Sequence, residues 1–564
     1  MRNTPTPTTR TTTRTTAGAA VVALGIATLA LGLGSAPAQA HGNAPVVLAR
    51  SFASMDPESG VAALGDRVLF AAQGETGGHE LWVTDGTPAG TKRLKDIVPG
   101  AGSSNPGELT RVGNRVYFAA TTPSEGRELW LTDGTAAGTR LAANIGPNAA
   151  GSNPTGLTAV GSRVVFRADD GTHGVEPWSS AGTQATSTLL KDVQVGGASS
   201  NAVDITATPS GTAFFSAFAL GSGTELYRTN GTPAGTALVE NIQAGGSGAP
   251  QDITPIGSGS VVFSADDGEL GRELWRSDGT ASGTTIVEDV TPGVGSSSLS
   301  ELTRVGSRVF YASTTPGQGA ELFATNGTKA GTGLVKDLAP GAQASFVDAI
   351  TDVAGVAYFT ADLPGTGREL WRSNGTAAGT RLVRDIAPGA ADGILGPLVA
   401  DGRFVAFGAT TPTTGREPWV SNGTAAGTAR VKDVRPGDTQ VQAFVAAGPT
   451  VLYHGVVEGS STIFSVDVQR YFTVDAAKPT TTVVEGGTPQ VGKRLKVTVG
   501  AWETGAKLTV RWLRAGAPIP GATGTTYRLT PKDRGKRVSV RVTGTLAGHN
   551  PASATSLGRR VLKG

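Results

Sequence analysis

The sequence predicts an all-β chain: a closed β-propeller of four-stranded blades, nine in number with eight as the alternative, followed by a small β-sandwich. Three observations carry this expectation. A cassette returns eight times at a step of 48 residues, once 49: Glu80-Leu81-Trp82, Glu128-Leu129-Trp130, Glu176-Pro177-Trp178, Glu225-Leu226-Tyr227, Glu273-Leu274-Trp275, Glu321-Leu322-Phe323, Glu369-Leu370-Trp371 and Glu417-Pro418-Trp419. A second aromatic series, Phe70, Phe118, Phe166, Phe215, Phe263, Tyr311, Phe359 and Phe407, runs ten residues ahead of it. The 81 glycines keep to the same period, so they mark turns and not low complexity. Units of this length cannot bury an apolar face alone and must stack on one another.

The second copy shows the elements of one unit. Glu108 to Val112 reads as a short strand, Asn114 as a turn, and Arg115 to Ala120 as a strongly alternating strand. After the loop Thr122-Pro123-Ser124-Glu125-Gly126, Glu128 to Thr132 forms a third strand and Arg140 to Ile145 a fourth, ahead of a Gly/Pro-rich crossing. Four short antiparallel strands without helical periodicity are the pattern of a propeller blade.

A ninth, degenerate unit follows Pro436-Gly437, with Thr450 to Tyr453 as its second strand and Ile463-Phe464-Ser465 as its third. Ahead of the first cassette, Val46 to Phe52 resembles the fourth strand of other copies, so it is expected to complete this last blade and seal the ring's edges. Tyr471 to Val474 is a rival fourth strand, and an eight-blade ring or an open array stays open at this stage.

The residues after each cassette have a turn chemistry. Asp85, Asp133 and Asp278, with Asn230, Asn326, Asn374 and Asn422 at matching positions, each precede Gly-Thr. An Asx oxygen there accepts from backbone two residues on while glycine takes positive φ. Because Asp and Asn interchange, an acceptor oxygen suffices; strong calcium binding would favour carboxylate throughout, so no cofactor is expected and calcium is the weak alternative. The third copy reads Ser180-Ala181-Gly182-Thr183, and its turn is expected to be looser. The eight cassette aromatics, Trp82, Trp130, Trp178, Tyr227, Trp275, Phe323, Trp371 and Trp419, are read as inter-blade core, and the cassette glutamates as structural acceptors, with Arg127, Arg272, Arg368 and Arg416 as their solvent-side partners.

The cassette Glu-Leu-Trp-x-Ser/Thr-Asp/Asn-Gly-Thr-x-x-Gly-Thr resembles the repeat of the ELWxxDGT-repeat proteins, secreted bacterial proteins without an established common activity, over about 430 residues. Its turn also resembles the Asp-box of sialidase-type propellers, which implies a hairpin type and no sialidase catalysis.

Residues 479–564 read as a separate sandwich, with strands at Arg494 to Val499, Leu508 to Arg514, Thr526 to Leu529 and Arg537 to Val542 and with Trp512 as a core residue. This stretch resembles the immunoglobulin-like modules that trail exported proteins of high-GC bacteria; without cysteine, packing on Trp512 and Tyr527 must replace the usual disulfide.

Charge divides the chain at the same place. Residues 1–40 carry Arg2, Arg10 and Arg14, an apolar run from Ala17 to about Leu33, and Ala38-Gln39-Ala40, the signature of a secretory leader cleaved after Ala40. Residues 479–564 hold 15 Lys and Arg against three acids, a net +12, which leaves residues 41–478 at about −12 in a chain of formal charge +3. The mature protein is thus expected to be secreted or cell-wall associated without a membrane span, and its basic module, through Lys532, Arg534, Lys536 and Arg537, to meet anionic cell-wall polymer, glycan or protein but no nucleic acid.

Catalytic motifs are mostly absent from the sequence: His41, His79, His173, His454 and His549 lack metal-ligand spacing, and neither a nucleophile elbow nor a phosphate loop sits in a strand-turn-helix context. The expected function is therefore a secreted, non-enzymatic binding or scaffold protein. The alternative is an extracellular enzyme acting on polysaccharide, with its site in the propeller channel or in divergent loops.

Overall fold

The computed structural model describes residues 47–562 except 56–59, 76, 316, 432–439, 449, 458, 469–479, 484–487, 501, 503–504 and 547–550. The expected leader, the boundary near Pro479 and the rival strand at Tyr471 to Val474 lie outside the described residues. The chain is all-β and propeller-like: among the described residues the repeat region forms nine antiparallel sheets, numbered here 1 to 9 in chain order.

Sheet 2 shows the pattern, with strands Gly107–Val112, Arg115–Thr122, Gly126–Thr132 and Arg140–Ala143. The fourth strand stops two residues short of the expected Ile145. The Ile145 amide leaves the ladder there and donates to the Glu128 carboxylate at 3.0 Å. In sheet 1 the first strand is split into Ser54–Met55 and Val61–Leu64, both paired with Arg67–Gln73. Sheet 9 is built from Gln442–Ala447, Thr450–Val457 and Ser460–Asp467, and its fourth strand is Val47–Phe52, which runs antiparallel to Ser460–Asp467 with Phe52 opposite Ser461. The N-terminal strand therefore sits in the sheet the sequence assigned to it.

Side chains alternate across a strand, so Leu81 and Trp82 leave sheet 1 on opposite faces. Leu69, Leu81 and Val83 pack against Val116, Phe118, Ala120 and Trp130 of sheet 2; Leu129 and Leu131 of sheet 2 pack in turn against Phe166, Ala168 and Trp178 of sheet 3. The pattern continues to the end, where Leu452 and Ile463 of sheet 9 meet Phe70, Ala72 and Trp82 of sheet 1. Phe52 stands edge-on to Phe70 at 5.5 Å and to Trp82 at 5.1 Å. Trp82, Tyr227, Phe323, Trp371 and Trp419 are buried, while Trp130, Trp178 and Trp275 are half-buried in the same kind of seam. The first strands of consecutive sheets lie side by side, and that of sheet 9 lies beside that of sheet 1.

The C-terminal residues form two further sheets. One pairs Thr480–Val483 with Arg494–Thr498 and Thr526–Arg528; the other joins Ala517–Pro518, Lys507–Arg514, Arg537–Thr545 and Ala552–Thr555, with Arg559–Arg560 on its edge. Their shared core holds Leu495, Val497, Trp512, Val538, Val540 and Val542. Trp512 is fully buried, its Nε1 donates to the Gly524 carbonyl at 2.9 Å, and it stacks on Tyr527 with centroids 5.6 Å apart.

Candidate functional site

The cassette glutamates are fully buried, and those from Glu80 to Glu369 anchor the crossing that leads to the next sheet. Glu128 accepts from the amides of Ile145, Gly146 and Ser152 at 3.0, 2.8 and 2.9 Å and from the Ser152 hydroxyl at 2.6 Å. Glu80 takes the matching set from Ile97, Val98 and Ser104. Glu176, Glu225, Glu273, Glu321 and Glu369 repeat it with fewer donors. Burial pushes the Glu128, Glu176, Glu225, Glu273 and Glu321 carboxyls up, and the amide and hydroxyl donors pull them back. The expected partners Arg127, Arg272 and Arg368 are corrected here. Arg127 and Arg272 donate to the carbonyls of Asn105 and Ala249, and Arg368 pairs with Asp348 at 3.0 Å. Each of these arginines immediately precedes its glutamate on the strand, so the two side chains leave on opposite faces and do not pair.

The turns keep the role their chemistry gave them. Oδ1 of Asp85, Asp133, Asn230, Asp278, Asn326, Asn374 and Asn422 accepts from both the amide and the hydroxyl of the threonine two residues on, as at Asp133 with 2.9 and 2.7 Å. A Cβ at Gly138 would collide with the Asp133 carboxylate, which fixes glycine at that station. The Thr135 hydroxyl holds the Asp133 carboxyl below its ordinary range. The third copy is not looser. Where it lacks the Asx, Thr186 Oγ1 takes the Thr183 amide at 3.1 Å, and Ser187 bonds Ser180 at 2.8 Å. Among the described residues no cluster of three His, Asp or Glu is placed to hold a metal.

The first strands depart from this uniformity. In sheets 2 to 7 the first strand carries a register break near its start. The residue within it has positive φ: Glu108 61°, Gly156 66°, Asp204 53°, Asp252 55°, Glu301 61° and Ala349 54°. Such bulges re-aim a side chain, and here the acids reach sideways. Glu108 Oε2 accepts from the Gly156 amide at 2.9 Å, Asp204 Oδ2 from the Asp252 amide at 3.1 Å, and Glu301 from the amides of Ala349 and Ile350. Threonines staple the same seam, Thr110 to the Leu157 carbonyl and Thr254 to the Leu302 carbonyl, each at 2.9 Å.

Asp252 is the exception among these acids: its carboxylate receives no hydrogen bond from a described residue. It lines a polar cavity of about 340 Å³ with Asp204, Thr206, Thr254, Glu301 and Thr303. Asp252 is exposed; partial desolvation and then the Asp204 charge push its carboxyl up, and Arg272 opposes them. Glu301 is likewise raised by burial and by Asp348. A larger cavity of about 640 Å³ lies between sheets 1 and 2, lined by Gln73, Asn105, Glu108 and Arg127; the last two already serve the Gly156 amide and the Asn105 carbonyl. The acidic column was readable in the sequence as a second 48-residue register, and it was missed because the cassette is the louder one. In the basic module, Lys532, Arg534, Lys536 and Arg537 are all exposed, around the buried Asp533.

No family model matches the chain, and no curated protein matches it. Solved structures with similar stretches include a puromycin hydrolase (14% identity, TM-score 0.33, covering 63% of this chain and 59% of that one). One of two prolyl endopeptidases aligns at 13% identity and TM-score 0.37, over 66% and 55% of the chains. Prolyl oligopeptidase B from Galerina marginata aligns at 12% and 0.35, over 64% and 54%. The chain thus spans little more than half the length of these enzymes. That the neighbours are peptidases runs against the expected non-enzymatic binding or scaffold role, which is corrected and not retained; at such TM-scores they give this chain neither a substrate nor a site.

Proposed function

We propose that the repeat region is a closed nine-bladed propeller belonging to an exported enzyme that hydrolyses polysaccharide, with Asp252 as its proton-transferring carboxyl. Closure is supported by the apolar seam and the first-strand contact that join sheet 9 to sheet 1. Export is supported by the leader-like residues 1–40 and by the resemblance of the cassette to repeats of secreted proteins.

The observation that carries the enzymatic reading is the unpartnered Asp252 beside two engaged acids in one cavity. A carboxyl whose proton affinity is raised is suited to deliver a proton as general acid, and a neighbouring carboxylate can stabilise the positive charge that develops on a sugar ring or activate water against it. Asp252 takes the first role. Asp204, whose Oδ2 is oriented by the Asp252 amide, takes the second. Catalysis of this kind asks an acid for about 10²- to 10⁴-fold in rate.

The test is release of reducing ends from a panel of neutral and acidic polysaccharides by the chain lacking residues 1–40. Turnover of at least one polymer, lost about 100-fold or more in Asp252→Asn, is the expected result. Absence of turnover across the panel, or an Asp252→Asn chain as active as its parent, overturns the reading.

A further inference from the structure

The positive charge of the C-terminal module is organised in register. In its larger sheet Arg511 stands directly opposite Arg541, and Arg537 opposite Arg560. Val538, Val540 and Val542 of the same strand point into the core, so Arg537 and Arg541 project from the outer face, and all four arginines are exposed. On the smaller sheet Arg494 faces Arg528 in the same manner. Like charges directly opposite each other destabilise a sheet, and the module's one acid among the described residues is engaged elsewhere. Asp533 is fully buried and committed to Arg514 at 2.6 Å, to Tyr527 and to Thr530. Among the described residues none of these six arginines meets a carboxylate; Arg537 and Arg528 donate to the carbonyls of Gly558 and Gly492, which holds their forks without neutralising them.

We propose that the outer face bearing Arg511, Arg537, Arg541 and Arg560 binds a linear anionic polysaccharide, whose acid groups relieve the arginine repulsion. Arg537 and Arg541 are four residues apart on one strand, about 13 Å, a spacing suited to an extended polymer with recurring charges. Guanidinium forks match planar carboxylates two bonds at a time. The module's aromatics point the other way: Trp512, Tyr527 and Trp502 all belong to the core cluster. A single-stranded nucleic acid would find nothing on this face to stack upon. The surface overlaps the loop cluster singled out from sequence, Lys532, Arg534, Lys536 and Arg537, only at Arg537.

The test uses the chain lacking residues 1–40 and polygalacturonate as probe, with neutral dextran and single-stranded DNA as comparisons. Arg511→Gln with Arg541→Gln should weaken polygalacturonate binding about tenfold or more while leaving the unfolding temperature equal or higher, because a repulsive pair is removed. Lys532→Gln with Arg534→Gln should change binding by less than about threefold, and added salt should weaken the parent's binding. A fall in unfolding temperature alongside lost binding would assign the arginines a structural role. Unchanged binding in the first variant, equal binding to dextran, or tighter binding to DNA than to polygalacturonate would each overturn the proposal.

Discussion

Sheets 2 and 7 build the same crossing with unequal means. Glu128 in sheet 2 gathers three amides and the Ser152 hydroxyl around one buried carboxylate. In sheet 7 the serine station is Gly393; Glu369 accepts from the Ala387 and Ile386 amides, and its Oε2 has no partner among the described residues. Oδ1 of neighbouring Asp385 is unpartnered as well. Burial pushes the Glu369 carboxyl up to about 7, with Asp385 and Asp392 adding to the effect. Identical cassette letters thus give different acids, because the donors that tune them come from the crossing, 24 residues downstream. A buried carboxylate without its donors takes up a proton instead.

The largest effect expected from this comparison is at Glu128. Glu128→Ala strands several buried donors and should cost roughly 3–5 kcal/mol, read as a shift in the urea midpoint; a loss below about 1 kcal/mol would mean that the crossing rearranges and does not depend on the acid.

Glu369→Gln should act through pH. The folded-state value lies above the unfolded glutamate value of 4.5, so protonation favours the fold. The associated stability is present in full below pH 4.5 and is lost as pH rises through about 7. Glutamine stays neutral, so at pH 8 the variant should exceed the parent by on the order of 1–3 kcal/mol, with little difference at pH 4. Parallel stability curves for parent and variant would show that Glu369 is ionised throughout.

Gly393→Ser asks whether sheet 7 can be made to resemble sheet 2. A Cβ at Gly393 meets the Glu369 carboxylate, so the acid must shift to receive the new hydroxyl. The expected gain is under about 1 kcal/mol, with the pH dependence moved to lower pH. A variant with the parent's pH curve would show that the hydroxyl does not reach Glu369.

The smallest effect is expected at the outer turns. Asp278→Asn retains the acceptor used by Thr280, so the unfolding temperature should stay within about 2 °C, with or without chelator. A chelator-dependent drop in the parent that is absent from the variant would reveal a cation at the turn.

Much of the fold was legible because the repeat states it eight times. The alternation of Leu81 and Trp82, the Asx oxygen before Gly-Thr, and Val47–Phe52 as partner of Ser460–Asp467 follow from local pattern and spacing. The partners of the buried glutamates were not legible, since Ile145 and Ser152 reach Glu128 only after the crossing folds back. Asp252 was hidden for a related reason. Its sequence register is that of Glu108, Asp204 and Glu301, and only the hydrogen bonds show that it does not staple the next sheet as they do. Repetition advertises what holds the molecule together and masks a position such as Asp252 that departs from it.

The central claim is that the cassette acids of sheets 1 to 8 hold the fold while Asp252 carries the chemistry. Its most direct test is polysaccharide turnover per folded molecule, measured in Asp252→Asn and Glu128→Gln beside the parent. The account predicts that Asp252→Asn keeps its unfolding temperature and loses turnover about 100-fold, whereas Glu128→Gln unfolds at lower temperature with turnover per folded molecule intact. Equal turnover in Asp252→Asn and the parent, or a loss confined to Glu128→Gln, would contradict it.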